Sequence, residues 1–384
     1  MDRNPTTLAI PHYFRDLPDP RLAHLCRHEL LDIIVIAICA VTCGQHSWTA
    51  IAFYGQDHAD WLQTFLRLPN GIPAHDTFRY VFTRLDPEAF QRCFAAWIEA
   101  LSRATDLKHI AIDGKALRGS LDRAHGNPAL HLVSAWARAN HLTLGQVAVA
   151  DKSNEITAIP RLLEILDVTG AIVTIDAMGC QKDIAAQIRA EGADYVLAVK
   201  DNQPRLLEDI QAAVNEHLER LGPAGDASCL ETRDVGHGRQ EVRRYTLVTD
   251  LGQIRDRELW QDLHGVCLVV SERTVGGETT AEARYYIGSL HGGVGDYAGA
   301  IRGHWGIENG CHWVLDVMFR EDASRSRPEH GAENLAWLRR MALSLLRNDT
   351  SCERSARAKS AKALGDHKFL LQLLSQVSGA KEDP

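Results

Sequence analysis

The chain has 384 residues, enough for two or three domains at about 100–200 residues each. Its 45% hydrophobic and 24% charged residues are ordinary for a soluble globular protein with a large core. The net charge of −8 counts against a simple nucleic-acid coat protein, which would be basic throughout. It does not exclude a DNA enzyme whose active site is built from carboxylates.

The cysteines and the apolar segments indicate the cellular compartment. Nine cysteines are scattered from Cys26 to Cys352 without a C-x-x-C pair, as is typical of free thiols in a reducing compartment. The N-terminus shows no signal-peptide pattern. The most apolar run, Leu30 to Gly44, contains Asp32 and is shorter than the roughly 20 residues that span a bilayer. We therefore expect a cytoplasmic protein with no membrane partner.

Residues 1–105 are predicted to form a helical domain. Apolar residues recur at helical spacing in three segments, Leu30–Val41, Thr49–Leu66 and Ala89–Leu101. The turn-rich stretch LPNGIPAHD separates the second segment from the third.

From residue 108 the pattern changes to short apolar strands. The segments 109–117, 129–137 and 142–150 are predicted strands, and short turns between them favour antiparallel pairing. There follow a helix at 156–166, a strand at 171–178, a helix that Gly192 stops, a strand at 194–200 and a long helix from Gln203. Three strands followed by alternating helices and strands are typical of the ribonuclease H-like fold.

More strands with glycine-rich turns are predicted between 228 and 290, after which the chain becomes helical. The sequence therefore predicts an α/β protein whose ribonuclease H-like core, a mixed five-stranded sheet with helices, is interrupted by a β insertion. A basic stretch from Arg347 to Lys368 indicates a solvated helix face or a flexible tail. The predicted domains are 1–105 (helical), 106–222 (first part of the core), 223–292 (β insertion), 293–348 (helical last part of the core) and 349–384 (C-terminal tail).

Asp113 and Asp176 each end a strongly apolar segment, HIAID and AIVTID. An acid in such a run is costly to bury unless it is paired or binds a cation. The first and fourth strands are neighbours in the predicted fold, so the two carboxylates would face each other across one gap. Two alternatives stay open: Asp113 could form a strand-ending turn with Gly114, and Asp176 could cap the following helix.

A third acid is expected from the helix after the β insertion, and Glu308 is the candidate. Four residues follow at three- and four-residue steps and would share one face of a regular helix: Trp305, Glu308, His312 and Asp316. The helix is largely apolar, which predicts that it is buried and carries Glu308 toward the core. The alternative is a core acid paired with Arg302.

Three converging carboxylates form a site for hard divalent cations, because Mg²⁺ and Mn²⁺ prefer oxygen ligands. Two such ions about 3.5–4 Å apart would clamp the attacking and leaving oxygens of a phosphoryl transfer. Water would attack first and free a 3′-OH, which would then attack a second DNA strand. The sequence contains no H-E-x-x-H, P-loop or G-x-S-x-G motif that would indicate another chemistry.

Four separated blocks resemble the motifs of DDE-type insertion-sequence transposases, in the ISAs branch that includes the H-repeat-associated proteins. The blocks are IAIDGKALRGS, TIDAMGCQKDIA, YVLAVKDNQ and HWGIENGCHWVLDVMFRED. With the N-terminal stretch, the resemblance covers about residues 12–347. It implies a bacterial enzyme that cleaves and joins the DNA of an insertion sequence with Mg²⁺ or Mn²⁺, as two ions.

The resemblance implies that Asp113, Asp176 and Glu308 are both the catalytic residues and the metal ligands. It implies double-stranded DNA as the partner, namely the element's terminal inverted repeats and the target DNA. It also implies a homodimer that pairs two DNA ends, and a protein associated with the nucleoid.

Several residues are candidates for DNA contacts, and such contacts would make the affinity fall steeply with salt. Lys200, Asn202 and Gln203 match the family's K-x-N-Q block and would lie near the DNA backbone; a polar turn between strand and helix is the alternative. For the others the alternative is a core position or a solvated charged face. These are Arg239, Arg243, Arg244, Arg302, His304, Trp305, His312 and Arg320, with Arg325 and Arg327 close to the last.

The sequence departs from the family pattern around the third acid. Related transposases with a β insertion carry a Tyr, an Arg and a Lys there, where this chain has Ile301, His304 and Leu315. Two other functions stay open. One is a domesticated nuclease that no longer mobilises an element. The other is a degenerate copy that only binds DNA, against which the intact triad argues.

Overall fold

The computed structural model describes residues 10–102, 108–122, 125–149, 155–221, 227–236 and 238–376. The chain divides into two compact units. The first comprises Met1–Asp106, Gly114–Lys152 and Asn309–Pro384, and the second comprises Leu107–Asp113 and Ser153–Glu308. Each unit is therefore assembled from separate stretches of sequence. The predicted boundaries at 105/106 and 222/223 fall outside the described residues.

The first unit begins with helices, as predicted. They are α1 (Ile10–Phe14), α2 (Leu30–Thr42), α3 (Trp48–Asp57), α4 (Ala59–Leu62), α5 (His75–Arg84) and α6 (Pro87–Ser102). The α2 helix is buried on all sides from Ile33 to Val41, because its side chains are almost all apolar. The predicted helix at Thr49–Leu66 is divided at His58, and α5 follows the turn-rich stretch without having been predicted.

The rest of the first unit combines a β-hairpin with C-terminal helices. Strand β1 (His109–Leu117) starts in the second unit and ends in the first, followed by β2 (Leu130–Ala137) and β3 (Leu142–Val149), which pair antiparallel as predicted. The helices are α11 (Trp313–Val317), α12 (Gly331–Asn348), α13 (Ala356–Gly365) and α14 (His367–Leu374). Helix α12 is the buried centre and packs on α2, α5, α6 and β3. Much of the predicted tail is thus helical, with Leu370 and Leu373 buried.

The second unit is built on a sheet with helices. After the first half of β1 come α7 (Glu155–Glu164), β4 (Ile172–Ile175), α8 (Lys182–Ala190), β5 (Asp194–Val199) and α9 (Pro204–Arg220). Strands β1, β4 and β5 are parallel neighbours. This arrangement confirms the predicted alternation of helices and strands.

The β insertion continues the same sheet. Its strands are β6 (Cys229–Gly236), β7 (Arg239–Val248), β8 (Gly265–Val275) and β9 (Glu278–Gly288). The order in the second unit is β1-β4-β5-β9-β8-β7-β6, and β9 pairs antiparallel with β5. The insertion therefore covers an edge that β5 would otherwise expose. Gly276 and Gly277 form the two-residue turn between β8 and β9 with positive φ angles of 59° and 88°, as that turn requires.

Helix α10 (Val294–Ile307) ends the second unit and packs on β4 and β5. The element order is that of an α/β ribonuclease H-like core with a helical N-terminal region and a β insertion, so the predicted fold class is confirmed. Among the described helices, none is long and apolar enough to cross a bilayer.

Candidate active site

Asp113 and Asp176 lie side by side in the second unit because of the strand register. In the parallel pair β1–β4, Ala111 is opposite Thr174 and Ile112 is opposite Ile175. Asp113 directly follows Ile112, and Asp176 directly follows Ile175. Because adjacent strands are about 4.8 Å apart, the two acids are neighbours across the pair. Both side chains are half-buried and line one cavity of about 170 Å³. We call it the acid cavity.

Hydrogen bonds from Asp176 and from the residues just before α9 hold the turn that follows Asp176. The Asp176 carboxylate accepts the Met178 N–H at 3.1 Å and so caps a short turn, as the alternative interpretation of this residue had it. From the start of α9, the Asn202 amide donates to the Ala177 carbonyl at 2.7 Å and the Gln203 amide donates to the Cys180 carbonyl at 2.9 Å. The capping bond uses one carboxylate oxygen and leaves Asp176 on the cavity wall.

Glu308 lines the acid cavity from the end of α10. Its side chain is exposed, so the expectation that the helix would bury it was wrong. A π-helical turn runs from Glu308 to His312, and the regular spacing that would have aligned Trp305, Glu308, His312 and Asp316 is lost there. The predicted alternative partner Arg302 instead forms an ion pair with Asp234 at 3.5 Å.

His304 is fixed behind the acids by β4. Thr174 Oγ1 donates to the Ile110 carbonyl at 3.4 Å and forms a hydrogen bond with Nδ1 of His304 at 3.1 Å. Burial lowers the pKa of His304, while the Asp176 carboxylate acts in the opposite direction. The lowered pKa favours the neutral imidazole at pH 7.

Positive and aromatic side chains complete the wall of the acid cavity. Lys200, directly after β5, and Trp305 line it, as does Arg284 on β9. The Arg284 guanidinium lies 4.7 Å from the centre of the Trp305 ring and is paired with Glu282 at 2.8 Å. Arg284 was not among the predicted site residues. The alternation of polar and apolar residues along β9 indicates a strand, but nothing in the sequence indicates that this strand pairs with β5.

Other predicted DNA-contact residues do not line the acid cavity. Arg243 is buried and paired with Asp234 at 2.5 Å, whereas Arg244 is exposed and paired with Glu231 at 2.9 Å and Glu272 at 2.7 Å, which supports the charged-face alternative for Arg244. Arg239 is exposed at the tip of the β6–β7 hairpin. Two further candidates, the buried His312 and the exposed Arg320, belong to the first unit.

The donor chemistry of the acid cavity fits a hard divalent cation. Among the described residues no three His, Cys, Asp or Glu side chains already form a metal-binding cluster. Mg²⁺, however, is usually bound through one or two carboxylates together with waters and substrate phosphates. The neighbouring carboxylates of Asp113 and Asp176 provide such a pair.

The fold and the cavity define an α/β protein of the ribonuclease H-like class with an acidic site. The family profile described as "Transposase DDE domain" matches residues 104–345, and the profile "DDE_Tnp_1-associated" matches residues 11–98. The chain belongs to the DDE transposase family.

Relatives of nearly the same length support this assignment. "Putative transposase YncI" of Escherichia coli O157:H7 is 38% identical over 372 residues, covering 95% of this chain and 94% of that protein. "H repeat-associated putative transposase YhhI" of Escherichia coli K12 is 38% identical over 365 residues, covering 94% and 96%. A solved synaptic complex of piggyBac transposase with hairpin DNA superposes with a TM-score of 0.39 at 12% identity, covering 97% of this chain and 76% of that one.

Proposed function

We propose that the chain is the transposase of an insertion-sequence element and catalyses metal-dependent cleavage and transfer of DNA strands at the acid cavity. One observation carries the proposal: Asp113, Asp176 and Glu308, from three separated motifs, line a single cavity. A purely structural role for each acid would not require them to meet. Membership of the DDE transposase family supports the same chemistry.

Asp113, Asp176 and Glu308 would hold Mg²⁺ or Mn²⁺, as two ions. When bound, the ions supply Lewis acidity to the scissile phosphate and lower the pKa of a water nucleophile. The chain's own residues position the acids and the DNA. The β1–β4 register sets the spacing of Asp113 and Asp176, and Lys200 provides positive charge for a DNA phosphate beside them.

The proposed partners are double-stranded DNA, as terminal inverted repeats and target, and a second copy of the chain that pairs the two ends. Lys200, His304 and Trp305 line the acid cavity and are the proposed contacts for the DNA being cut. Exposed Arg239 and Arg302 would contact flanking phosphates. The protein would act on the nucleoid in the bacterial cytoplasm.

The test is nicking of a supercoiled plasmid that carries the element's ends, in Mg²⁺ or Mn²⁺. We expect the wild type to nick, and Asp176→Asn to be at least about 100-fold slower, because the variant loses a metal ligand. Asp183→Asn removes the same charge from an exposed position on α8 and should nick like the wild type.

Two results would overturn the proposal. Equal nicking by Asp176→Asn and the wild type would mean that the acids are misassigned. DNA binding in chelator without nicking in either metal would favour a copy that only binds DNA. Joining of a labelled element end to target DNA separates a transposase from a domesticated nuclease.

A further inference from the structure

A second cavity, of about 740 Å³, lies within the first unit and is lined by arginines. It is formed by the start of α3, by α5 and α12, and by the segment after α11. No Asp or Glu is among the residues that line it in the described part of the chain. We call it the arginine cavity, after Arg79, Arg320, Arg325 and Arg339.

Arg339 carries a buried guanidinium with unused hydrogen-bond donors. It lies on α12 with 1% of its surface exposed, and its Nε and Nη2 atoms are buried without a hydrogen-bond partner among the described residues. Burial lowers its pKa to about 10, so the guanidinium is still charged at neutral pH. A buried charge with unused donors is costly unless an anion completes its hydrogen bonds. The neighbouring carboxylate of Glu321 is already bonded to Arg340 and Lys115.

The N-terminus of α3 adds a second source of positive potential. Ser47, Trp48 and Ala50 line the arginine cavity, and the Ser47 hydroxyl caps the helix by accepting the Ala50 N–H at 3.2 Å. The first N–H groups of a helix have no partner within the helix and carry its positive dipole end, which favours phosphate. His46, also on the wall, has its pKa lowered to about 4 by burial and by Arg339 and Arg320.

The size and rim of the cavity favour a polymer over a single small anion. Arg320 and Arg325 are exposed around the buried Arg339, as is Arg79, which pairs with Asp76 at 3.2 Å, so successive phosphates could each meet a guanidinium. The Trp48 ring, stacked on Phe82 at 5.1 Å, forms a flat wall. We propose that the arginine cavity binds the phosphate backbone of DNA, independently of the three acids. This proposal rests on the DNA-acting function proposed above.

The test measures binding of the full-length protein to a fluorescein-labelled duplex in EDTA, where cleavage is absent. The variant is Arg320→Gln with Arg325→Gln, which changes two exposed side chains and should fold. We expect its affinity to be at least tenfold weaker. The slope of log affinity against log salt should fall by about 2, because about 0.9 counterion is released per phosphate contact. The matched control, Arg354→Gln with Arg357→Gln, removes the same charge from exposed positions near α13 and should stay within twofold of the wild type.

The outcomes separate this proposal from the function of the acid cavity. If the wild type binds no DNA, both proposals fail. If it binds DNA and the two double variants bind equally, only the arginine cavity is misassigned. Inorganic phosphate is the second probe. If it raises the Tm of the wild type but not of Arg320→Gln/Arg325→Gln, while both bind DNA equally, the cavity holds a small anion and the DNA proposal is overturned.

Discussion

At the scale of single residues, Glu321 is an acid within a family motif whose side chain forms buried ion pairs. It lies in the block that also contains Glu308, but its side chain is fully buried. Lys115 Nζ is 3.0 Å and Arg340 Nη1 is 2.8 Å from its two carboxylate oxygens. Lys115 also contacts Asp316. Lys115, two residues after Asp113, is therefore a partner for this acid inside the first unit.

Glu321→Gln should strongly destabilise the first unit. The change keeps the shape but takes from the buried Arg340 guanidinium its carboxylate partner, which costs about 3–5 kcal/mol, while Lys115 keeps Asp316. Urea unfolding at pH 7 measures the loss. Glu353→Gln, an exposed substitution in the same unit, should change the free energy of unfolding by less than about 0.5 kcal/mol. Equal effects of the two substitutions would contradict a structural role for Glu321.

The contribution of Glu321 should disappear in acid. Burial raises the pKa of its carboxyl, but Arg340, Lys115 and Arg339 outweigh burial and lower the pKa from 4.5 to about 2. A lowered folded-state pKa stabilises the protein above the unfolded value, and the stabilisation is lost as the pH falls through the folded value. The stability difference between wild type and Glu321→Gln should therefore be constant above about pH 4.5 and shrink toward pH 2. A constant difference throughout would contradict the ion-pair explanation.

At the scale of elements, the K-x-N-Q block acts through the turn that follows Asp176. The side-chain amides of Asn202 and Gln203 donate hydrogen bonds to the carbonyls of Ala177 and Cys180, respectively. We infer that Asn202 and Gln203 position this turn, and of this block Lys200 lines the acid cavity. The motif match does not distinguish these residues, whereas the hydrogen bonds show that two of them hold the turn and the cavity lining includes the third.

Asn202→Ala should slow strand cleavage without weakening DNA binding. Loss of the hydrogen bond to the Ala177 carbonyl costs about 1–3 kcal/mol. Each 1.4 kcal/mol by which this raises the activation free energy of cleavage slows the reaction about tenfold. Nicking at saturating DNA should fall about tenfold or more, with the affinity in EDTA unchanged. Asp201→Ala, on the exposed neighbour, is the control. An unchanged rate, or a loss confined to affinity, would contradict the positioning role.

The strands and most helices could be predicted because local pattern decides them. Apolar runs ending in Asp113 and Asp176 identify β1 and β4, and their adjacency follows from the fold. Three features depend on tertiary contacts and escaped prediction. Helix α5 has few apolar residues, and its buried face is Phe78, Val81 and Phe82. The pairing of β9 with β5, which brings Arg284 to the acids, joins segments about 90 residues apart. The π-helical turn at Glu308 has no sequence pattern of its own.

At the scale of the whole molecule, a cation held by the proposed metal site would change the stability of the fold. The chain is already negative, with a net charge of −8, and three carboxylates line one small cavity. All three acids belong to the second unit. A cation that binds only the folded state therefore stabilises the protein, and this can be measured without any DNA or cleavage.

Mn²⁺ should raise the Tm of the wild type relative to EDTA. At a concentration of about 100 times the Kd, the folded state gains about 2.7 kcal/mol. Asp113→Asn and Asp176→Asn should lose most of this shift, because each removes one of the two neighbouring carboxylates. Asp183→Asn should keep the full shift. Loss of the shift in Asp183→Asn as well, or an unchanged shift in both acid-cavity variants, would place the metal elsewhere in the molecule.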